Sequence, residues 1–506
     1  MLGHLVYILL VTAVVLSVPS PTADADVRAV LVVIGLIGLW RYSWALTHLF
    51  RSLWFRKVWF PPLRKRAEAR LLAEGVGHAF MLLTSFRIDE PTTTKVYAGA
   101  FRAAAKAGGG ATVVASIVEP ADEWLIGNLA KAMYGDTLPF TLEFVRIPGT
   151  GKRDALAHGF RAIARYRPGP HDTVSVIDGD SIVPDDLVER CAGFFLVDPK
   201  LGALTTDEVC TVEGAEIFRK WYSLRFVQRQ ILMCSNGLAK RVLTLTGRMS
   251  MFRAQLACDP TFIDHIQNDE VDHWRLGKIR MLTGDDKSSW FWLLSRGYHM
   301  YYVPDVVVET IEQPPSPNFI ESARVLMTRW FGNMLRTNAR ALALGPSRIG
   351  LFTWWSVLDQ RLSMWTSLSG LSLALLGSFF VSGWTLVYYV IWVMISRYIV
   401  VLSFFTTRPT VSVWCVPLLY FNQIFGSLIK ILVFFRLDRQ RWTRQNTTLR
   451  PSDTPLFDRF KRVSSVYVTV VAVAVYLAAL AMVTGFGAPP RTLPVTVQST
   501  TAGGLV

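Results

Sequence analysis

Two pairs of aspartates, far apart in the chain, have the residue types and spacing best suited to chemistry. In the first, VSVIDGDS, Asp178 and Asp180 stand on either side of a glycine directly after an apolar run. Two carboxylates on a tight turn offer oxygen ligands to Mg²⁺ or Mn²⁺ and leave positions for phosphate oxygens and water. We expect the pair to hold such a metal against a diphosphate. A plain Asx-turn after a strand is the alternative, because D-x-D alone is weak evidence.

The second pair, Asp285 and Asp286, lies in TGDDKSSWF. Adjacent acids limit each other's ionisation, which suits a general base whose pKa is drawn toward neutrality. We predict that Asp286 is a catalytic base that takes a proton from an acceptor hydroxyl, with Asp285 supporting it. A helix cap is the alternative role for Asp285.

Four further residues, in three segments, suit the binding of a nucleotide-linked substrate. Glu119 follows an apolar run and can accept hydrogen bonds from a base or ribose. Lys152 lies behind the glycine turn of IPGTGKRDAL and brings a point charge to a phosphate at a helix start, although the P-loop spacing is absent. In RVLMTRWFGNMLR, Arg329 can reach a diphosphate and Trp330 offers a flat face to a sugar. The alternative for Glu119 is an ordinary acid in the first turn of a helix, and for Lys152 an ordinary loop lysine. For Arg329 and Trp330 the alternative is a surface arginine beside a core tryptophan.

The elements that must position these residues alternate between strand and helix patterns after residue 79. Short apolar runs such as AFMLLTSF, ATVVASIV and DTVSVID are separated by helix-like segments. This alternation predicts βαβ units, a mostly parallel sheet and an α/β domain, whose ligands bind beyond the carboxyl ends of the strands. Residues 205–290 are less regular, and we interpret them as the acceptor side of the same domain.

Apolar segments flank that domain in a chain of 506 residues, 51% of them hydrophobic. We predict two membrane helices in 1–50, a globular domain in 51–350, an interfacial helix and further membrane helices in 351–485, and a disordered tail in 486–506. A cleaved signal peptide is the alternative for the first segment. Its start carries no Lys or Arg and a second apolar span follows closely, so retention is favoured.

The net charge is +15, and seven Lys and Arg residues between 51 and 70 follow directly after the second span, which places the domain in the cytosol by the positive-inside rule. Because these charges adjoin a membrane boundary, nucleic acid is not an expected partner. If the segments 363–381, 384–406 and 411–435 all crossed the membrane, the basic stretch that follows them would lie outside the cell. We therefore predict that one of them is re-entrant or interfacial. Five scattered cysteines without a CxxC pair argue against a zinc site or disulfides.

The order of these features resembles the processive family-two glycosyltransferases, which include the cellulose, chitin and hyaluronan synthases. Longer blocks, among them GTGKRDALAHGFRAI, LTGDDKSSWF and VFFRLDRQRWTRQ, are similar to the alginate polymerase (mannuronan synthase) group of that family. The resemblance implies a cytosolic GT-A domain between N-terminal and C-terminal transmembrane helices of a bacterial inner membrane. It also implies a GDP-mannuronate donor, a growing β-1,4-mannuronan acceptor exported through the membrane helices, a PilZ-type cyclic di-GMP receptor subunit and other secretion-complex proteins.

The resemblance also implies roles for single residues. Glu119 would contact the nucleotide, Asp178 and Asp180 the metal and diphosphate, and Asp286 would be the base; Arg329 and Trp330 would hold diphosphate and acceptor. The segment 246–253 would line the acceptor path. One departure is Leu326, where the family's Q-x-x-R-W pattern has glutamine.

The shared motifs do not select the substrate. An acidic sugar needs cations near its carboxylate, and Arg248, Lys287 and Arg324 are the candidates that the sequence offers. A synthase of another polysaccharide (hyaluronan-, cellulose- or chitin-like) and a lipid-linked sugar transferase are alternatives within enzymes. A transporter or scaffold with an inactive transferase fold is the alternative outside them.

Overall fold

The computed structural model of the chain describes residues 2–19, 25–442, 447–448 and 454–484. The tail predicted to be disordered, 486–506, lies outside these residues. The N-terminal part consists of α1 (Leu2–Ser17), α2 (Ala25–Trp54), a π-helical turn (Phe55–Trp59) and α3 (Phe60–Glu74). The last three form one continuous helical rod that leads into the globular domain.

The first half of the domain alternates strands and helices as the sequence predicts. Its elements are β1 (Ala79–Thr84), α4 (Glu90–Lys106), β2 (Ala111–Ile117), α5 (Pro120–Tyr134), β3 (Thr141–Arg146), α6 (Lys152–Arg165), β4 (Thr173–Asp178), β5 (Ser181–Ile182), α7 (Leu187–Cys191) and α8 (Gly193–Val197). Local signals set several of these boundaries. For example, the Asp89 side chain accepts a hydrogen bond from the amide of Thr92 and caps α4, which has proline in its first turn.

The second half contains longer strands and more irregular connections. Its elements are β6 (Leu201–Val212), α9 (Glu216–Gly237), β7 (Met249–Arg253), α10 (Ala254–Ala257), α11 (Pro260–Asn268), β8 (Glu270–His273), β9 (Gly277–Arg280), α12 (Asp285–Ser295), β10 (His299–Glu312), α13 (Phe319–Ala343) and α14 (Pro346–Ile349).

Eight strands form the central sheet, in the order β3-β2-β1-β4-β7-β6-β10-β5. The pairs within β3-β2-β1-β4 are parallel, as is β6 with β10, whereas β7 is antiparallel to both of its neighbours. Residues of β1 and β2 are buried on both faces because helices cover both sides of the sheet, which explains their continuous apolar runs. The carboxyl ends of β1 and β4 lie side by side, with Thr84 opposite Asp178.

The C-terminal part holds α15 (Leu351–Phe380), α16 (Trp384–Ser403) with a 3₁₀ turn (Phe404–Thr406), α17 (Cys415–Phe434), a two-stranded hairpin of β11 (Arg441–Trp442) and β12 (Thr447–Thr448), and α18 (Pro455–Thr484). Within the described ranges, five helices are long and apolar enough to cross a membrane: Asp26–Glu74, Leu351–Phe380, Trp384–Thr406, Cys415–Phe434 and Pro455–Thr484. The apolar helix α1, with 16 residues, is shorter.

Residues 351–365 do not form the separate interfacial helix that the sequence predicts. They are the first half of the continuous 30-residue helix α15. The charge that suggested an interfacial position, Asp359, is ion-paired with Arg41 of α2, so it has a partner inside the bundle. No proline interrupts this helix.

Both ends of α17 contact the globular domain. Shortly before α17, Arg408 donates to a carboxylate oxygen of Asp207 at 2.8 Å. Directly after it, Arg275 donates to the carbonyl oxygen of Phe435 at 2.7 Å and Arg336 to that of Leu437 at 3.0 Å. Both ends of α17 therefore lie on the side of the domain, and one of the three segments must be placed in this way if the basic stretch stays with the domain.

The polar residues inside α17 face other parts of the protein. Asn422 accepts a hydrogen bond from the indole nitrogen of Trp221 at 2.7 Å, and Gln423 donates to the carbonyl oxygen of Ser367 at 2.7 Å. At the opposite end of the bundle, the Tyr388 hydroxyl donates to the carbonyl oxygen of Pro19 at 3.0 Å, so the end of α1 lies beside the start of α16.

Candidate active site

The two aspartate pairs meet at one edge of the central sheet, with Lys152 between them. Asp178 is the last residue of β4, and Asp285 is the first residue of α12. The ammonium of Lys152, at the start of α6, is ion-paired with Asp178 and lies 3.2 Å from Oδ2 of Asp285. One cation thus bridges two acidic clusters that the sequence predicts only separately.

The glycine between Asp178 and Asp180 is required by close packing. The amide of Gly179 donates to the carbonyl oxygen of Thr84 at 3.1 Å, and a Cβ at this position would lie 2.8 Å from the same oxygen. Only glycine allows the turn to approach β1 so closely. The carbonyl oxygen of Asp180 accepts from the amide of Ile311 at 2.8 Å, so backbone contacts hold the turn on both sides.

Burial and charge set the proton affinity of Asp178 and Lys152. Burial raises the pKa of Asp178, Lys152 opposes that rise, and the nearby Asp180 and Asp285 add to it. Burial acts to lower the pKa of Lys152, but Asp178 and Asp285 outweigh it and raise the pKa above its ordinary value. Lys152 is therefore a permanent cation at neutral pH, while Asp178 is a carboxylate that favours any further positive charge placed beside it.

The adjacent acids Asp285 and Asp286 differ in proton affinity. Burial acts to raise the pKa of Asp285, but Lys152 and Arg153 hold it below the ordinary value. The pKa of Asp286 is raised by burial and then by the charge of Asp285. Asp286 is therefore the better proton acceptor of the two, in the direction that a general base requires.

The start of α12 is held in place by Arg153, whose role the sequence does not reveal. The buried guanidinium donates to the carbonyl oxygens of Ile266 and Thr283 at 2.7 and 3.1 Å and to the Ser288 hydroxyl at 2.9 Å. Asn333 of α13 accepts from the Thr283 hydroxyl at 2.9 Å. The only sequence signal for this network is the pair of basic residues in GTGKRD.

The segment 246–253 approaches the acidic clusters from the side of β7. Thr246 and Gly247 line a cleft together with Asp285 and Asp286. A Cβ at residue 247 would lie 2.9 Å from Oδ2 of Asp178 and 3.1 Å from Nζ of Lys152. The glycine therefore keeps this backbone against the ion pair, next to the residue predicted to be the base.

Glu119 lies at the same edge of the sheet but apart from the Lys152 cluster. It is exposed directly after β2 and precedes the proline that begins α5. Strand β1 separates β2 from β4. Its charge raises the pKa of Asp122, a smaller effect than the burial of that residue. The position suits a contact with a nucleotide bound across the strand ends.

Arg329 and Trp330 lie on α13, and neither has a contact with the two aspartate pairs among the residues that the structure describes. The guanidinium of Arg225, from α9, is stacked 3.5 Å from the centroid of the Trp330 ring. The Trp221 ring lies 5.8 Å from Trp330. The indole face expected to receive a sugar is thus partly covered by an arginine. Leu326, one turn earlier, is buried in an apolar cluster with residues of α9 and α17, so a glutamine there would lack a polar environment.

The three cations that the sequence offers for an acidic sugar are committed elsewhere. Arg248 is ion-paired with Glu208 and Glu312. Lys287 points into the domain, where its ammonium donates to the carbonyl oxygen of Leu243 at 2.7 Å. Arg324 is exposed and pairs with Glu321, 2.7 Å away on the same helix. Spacing in sequence does not show which cations already have a carboxylate or carbonyl partner, and a contact of these three with an acidic sugar stays a prediction.

The DGD turn fits a metal that shares its ligands with a substrate. Among the described residues, no group of three or more His, Cys, Asp or Glu side chains could hold a metal alone. Mg²⁺ and similar ions are commonly held by one or two carboxylates together with substrate phosphates and water. Asp178 and Asp180 supply that number of carboxylates, and the raised pKa of Asp178 shows that added positive charge would be favourable.

Comparisons with known proteins agree with this arrangement. The family model "Glycosyltransferase like family 2" matches residues 81–333, which hold both aspartate pairs and the Arg329–Trp330 helix. A protein of Pseudomonas syringae pv. tomato named glycosyltransferase alg8 is 44% identical over 94% of this chain and 97% of its own length. Its namesake from Azotobacter vinelandii is 42% identical over the same shares.

Among solved structures, the mannosyltransferase PcManGT of Pyrobaculum calidifontis, in complex with GDP-Man and Mn²⁺, covers 76% of this chain and 98% of its own, with 14% identity and a TM-score of 0.43. That similarity is too low to bear on ligands. The family match and the mixed sheet, with acids at the carboxyl ends of its parallel strands, confirm a GT-A type domain flanked by apolar helices. The chain therefore belongs to the family-two glycosyltransferases, within the group of the alg8 glycosyltransferases.

Proposed function

We propose that the chain is a processive inverting glycosyltransferase that polymerises GDP-mannuronate into β-1,4-mannuronan, the precursor of alginate. The observation that carries the proposal is the ion-pair arrangement at the sheet edge, where Lys152 joins Asp178 to Asp285 beside Asp286. It puts residues suited to a diphosphate leaving group next to a carboxylate with raised proton affinity. The alg8 relatives support the choice of polymer.

In the proposed reaction, Asp286 accepts the proton of the hydroxyl at the end of the growing chain. The resulting nucleophile attacks the anomeric carbon of the donor, and the bond to the GDP oxygen breaks. Asp285 stays ionised beside Lys152 and Arg153 and keeps the proton affinity of Asp286 high. Lys152 is placed to offset negative charge on the departing diphosphate. Glu119 would contact the nucleotide, and Arg329 and Trp330 would lie toward the acceptor.

A divalent metal, Mg²⁺ or Mn²⁺, would be held by Asp178 and Asp180 together with the donor diphosphate, where it would neutralise charge on the leaving group. Export of the polymer would use the helices that follow the domain. On the resemblance alone, the proposal includes a PilZ-type cyclic di-GMP receptor and other secretion-complex proteins as partners.

The contacts of the helix ends support an orientation in a bacterial inner membrane with the domain in the cytosol. The end of α2, the start of α15, both ends of α17 and the start of α18 are on the side of the domain, where residues 436–440, the first part of the basic stretch after α17, also lie. The link between α15 and α16 and the end of α18 would face the other side. This arrangement follows the positive-inside rule.

The test supplies purified membranes with a panel of labelled sugar nucleotides. We expect metal-dependent release of GDP from GDP-mannuronate and a product that a mannuronate-specific lyase degrades. A product resistant to that lyase but made from another donor would favour the hyaluronan-, cellulose- or chitin-like alternative. A labelled lipid in place of a polymer would favour the lipid-linked sugar transferase. No release of nucleotide from any donor would favour the alternative that the chain is a transporter or scaffold with an inactive transferase fold.

A further inference from the structure

Arg225 of α9 is a partly buried cation that has no ion pair among the described residues. Its guanidinium lies 3.5 Å from the ring centroid of Trp330 and 5.1 Å from that of Trp221. No ion pair or hydrogen bond to its nitrogens occurs among the described residues. Burial accordingly lowers the pKa of Arg225, which means that its charge is incompletely compensated in the protein alone.

Neighbouring arginines show that the fold otherwise supplies such partners. Arg229, one turn later on the same helix, is ion-paired with Glu208, and Arg248 pairs with both Glu208 and Glu312. Arg408 pairs with Asp207 at 2.8 Å. Arg225 differs from all three, so its lack of a carboxylate is a local property of its position.

A second polar group without a partner lies beside Arg225. Tyr222 is only 2% exposed, and its hydroxyl makes no hydrogen bond within the described residues. This hydroxyl is within electrostatic range of Glu312, Arg248, Arg225 and Arg329. Leaving a buried hydroxyl unsatisfied costs stability, and a polar ligand held by Arg225 would supply the hydrogen bond that the Tyr222 hydroxyl lacks.

The position of Arg225 fits the acceptor rather than the donor. Arg248 links Arg225 to the DGD turn: its carbonyl oxygen accepts from the amide of Asp178 at 3.2 Å, and its guanidinium lies 4.9 Å from the ring centroid of Phe226, the residue after Arg225. Trp330, under the guanidinium, packs against the apolar cluster that α9 and α13 form with α16 and α17. The unpaired cation thus lies beyond the DGD turn, toward the helices that the polymer would enter.

We propose that Arg225 binds the carboxylate of a uronate residue in the growing polymer and thereby selects an acidic acceptor. Stacking on Trp330 uses the flat face of the guanidinium and leaves its in-plane N–H groups for a bidentate contact with a carboxylate. Arg329, which has no ion pair or hydrogen bond among the described residues either, adds positive charge beside it. The inference rests on the proposed function, because only a uronate polymer supplies a carboxylate on each sugar.

The test measures binding of two tetrasaccharides to the full-length protein in nanodiscs. One is β-1,4-mannuronate tetramer, and the other is the same tetramer with its carboxyl groups reduced to alcohols. For Arg225→Met we expect affinity for the acidic tetramer to fall about 10- to 100-fold, with the neutral tetramer unchanged, because a charged hydrogen-bonding pair is lost. The matched control is Arg219→Met, an exposed arginine on the same helix, which should leave both affinities unchanged.

Arg225→Lys keeps a cation over the rings and is a second, more conservative variant. Thermal unfolding of each variant shows whether it is folded. We expect about a tenfold loss for the acidic tetramer, because lysine cannot form the planar bidentate contact. Wild-type preference for the acidic tetramer in the folded variants would overturn the proposal. Weakened binding of GDP with Mn²⁺ and unchanged tetramer binding would also overturn it, by assigning Arg225 to the diphosphate.

Failure of this inference is distinguishable from failure of the proposed function. If the wild-type protein makes mannuronan while the Arg225 variants keep their preference, only the carboxylate site is wrong. If the wild-type protein makes a different polymer from another donor, both the proposed function and the uronate site are wrong.

Discussion

The ammonium of Lys152 lies 3.2 Å from a carboxylate oxygen of Asp285 and is also ion-paired with Asp178, so one side chain joins the end of β4 to the start of α12. Removing it would leave two partly buried carboxylates close together without the cation that joins them. We expect Lys152→Met to lower nucleotide release by about 100-fold or more, as the loss of a charge-stabilising donor does in other enzymes.

The measurement for Lys152 is release of GDP from the donor by membranes with matched protein levels. Lys131→Met, at an exposed position on α5, is the control and should retain wild-type activity. Lys152→Arg keeps the charge and should recover part of the rate. Full activity of the methionine variant would contradict a role for the bridge.

The raised proton affinity of Asp286 leads to a prediction about its removal. Asp286→Asn should lower polymer formation by about 100- to 10,000-fold, since asparagine cannot take the acceptor proton. Binding of GDP with Mn²⁺ should be unchanged because the DGD turn is intact. Asp136→Asn, at an exposed site, is the matched control. Normal polymer yield from Asp286→Asn would remove Asp286 from the role of base.

The same carboxyl should be visible in the pH dependence. Burial and Asp285 raise the pKa of Asp286 above the ordinary aspartate value of about 3.9. A base works only when deprotonated, so the rate should fall as the pH decreases through this raised pKa. The acid limb of kcat/KM should therefore lie above the ordinary carboxyl range, and a limb near pH 4 would contradict the raised pKa.

The contribution of Asp286 to the free energy of unfolding should decrease as the pH rises, whereas its activity as a base should increase. A carboxyl with a raised folded-state pKa binds protons more tightly in the folded protein, so its contribution to stability is lost as the pH rises through that pKa. The melting temperature of wild type relative to Asp286→Asn should therefore be higher in mild acid than at neutral pH. An equal difference at both pH values would show that Asp286 titrates normally.

The sequence predicts the acids of the candidate site better than its cations. Asp178 and Asp285 lie at a strand end and a helix start, positions that local patterns reveal. Lys152 is also predicted near a phosphate, but its bridge between the two clusters depends on the packing of α6 and α12 against the sheet edge. The partners of Arg248 and the exposure of Arg324 depend on contacts between distant segments, so no spacing rule could rank them.

The same limit applies to the helices of the fold. Alternating apolar runs predict the strands from β1 to β4 and their parallel order, because each run has a local period and a bounded length. The length of α15, in contrast, could not be predicted from a local pattern. Asp359 looks interfacial in sequence, and only its ion pair with Arg41 of another helix shows how the charge is accommodated inside a continuous helix.

Gly247 gives a steric test of the ion pair. A methyl group there would lie 2.9 Å from Asp178 Oδ2 and 3.1 Å from Lys152 Nζ, so Gly247→Ala must displace one of these side chains. We expect about a 10-fold or larger loss of GDP release with a nearly unchanged melting temperature. Gly108→Ala is the control, because a Cβ at that position meets no atom within 4 Å. Wild-type rates from both variants would show that the ion pair tolerates displacement.

The contacts of both ends of α17 with the domain predict which loops face which side of the membrane. Gly383, between α15 and α16, is exposed and has room for a side chain, and Arg439, after α17, is exposed on the side of the domain. If α17 does not cross, a cysteine at 383 should react with a membrane-impermeant maleimide in spheroplasts, and a cysteine at 439 should react only after lysis. The protein without added cysteines is the control for its native thiols. Labelling of Arg439→Cys in intact spheroplasts would mean that α17 crosses the membrane, and the contacts of Arg275 and Arg336 with the residues after α17 could not then exist.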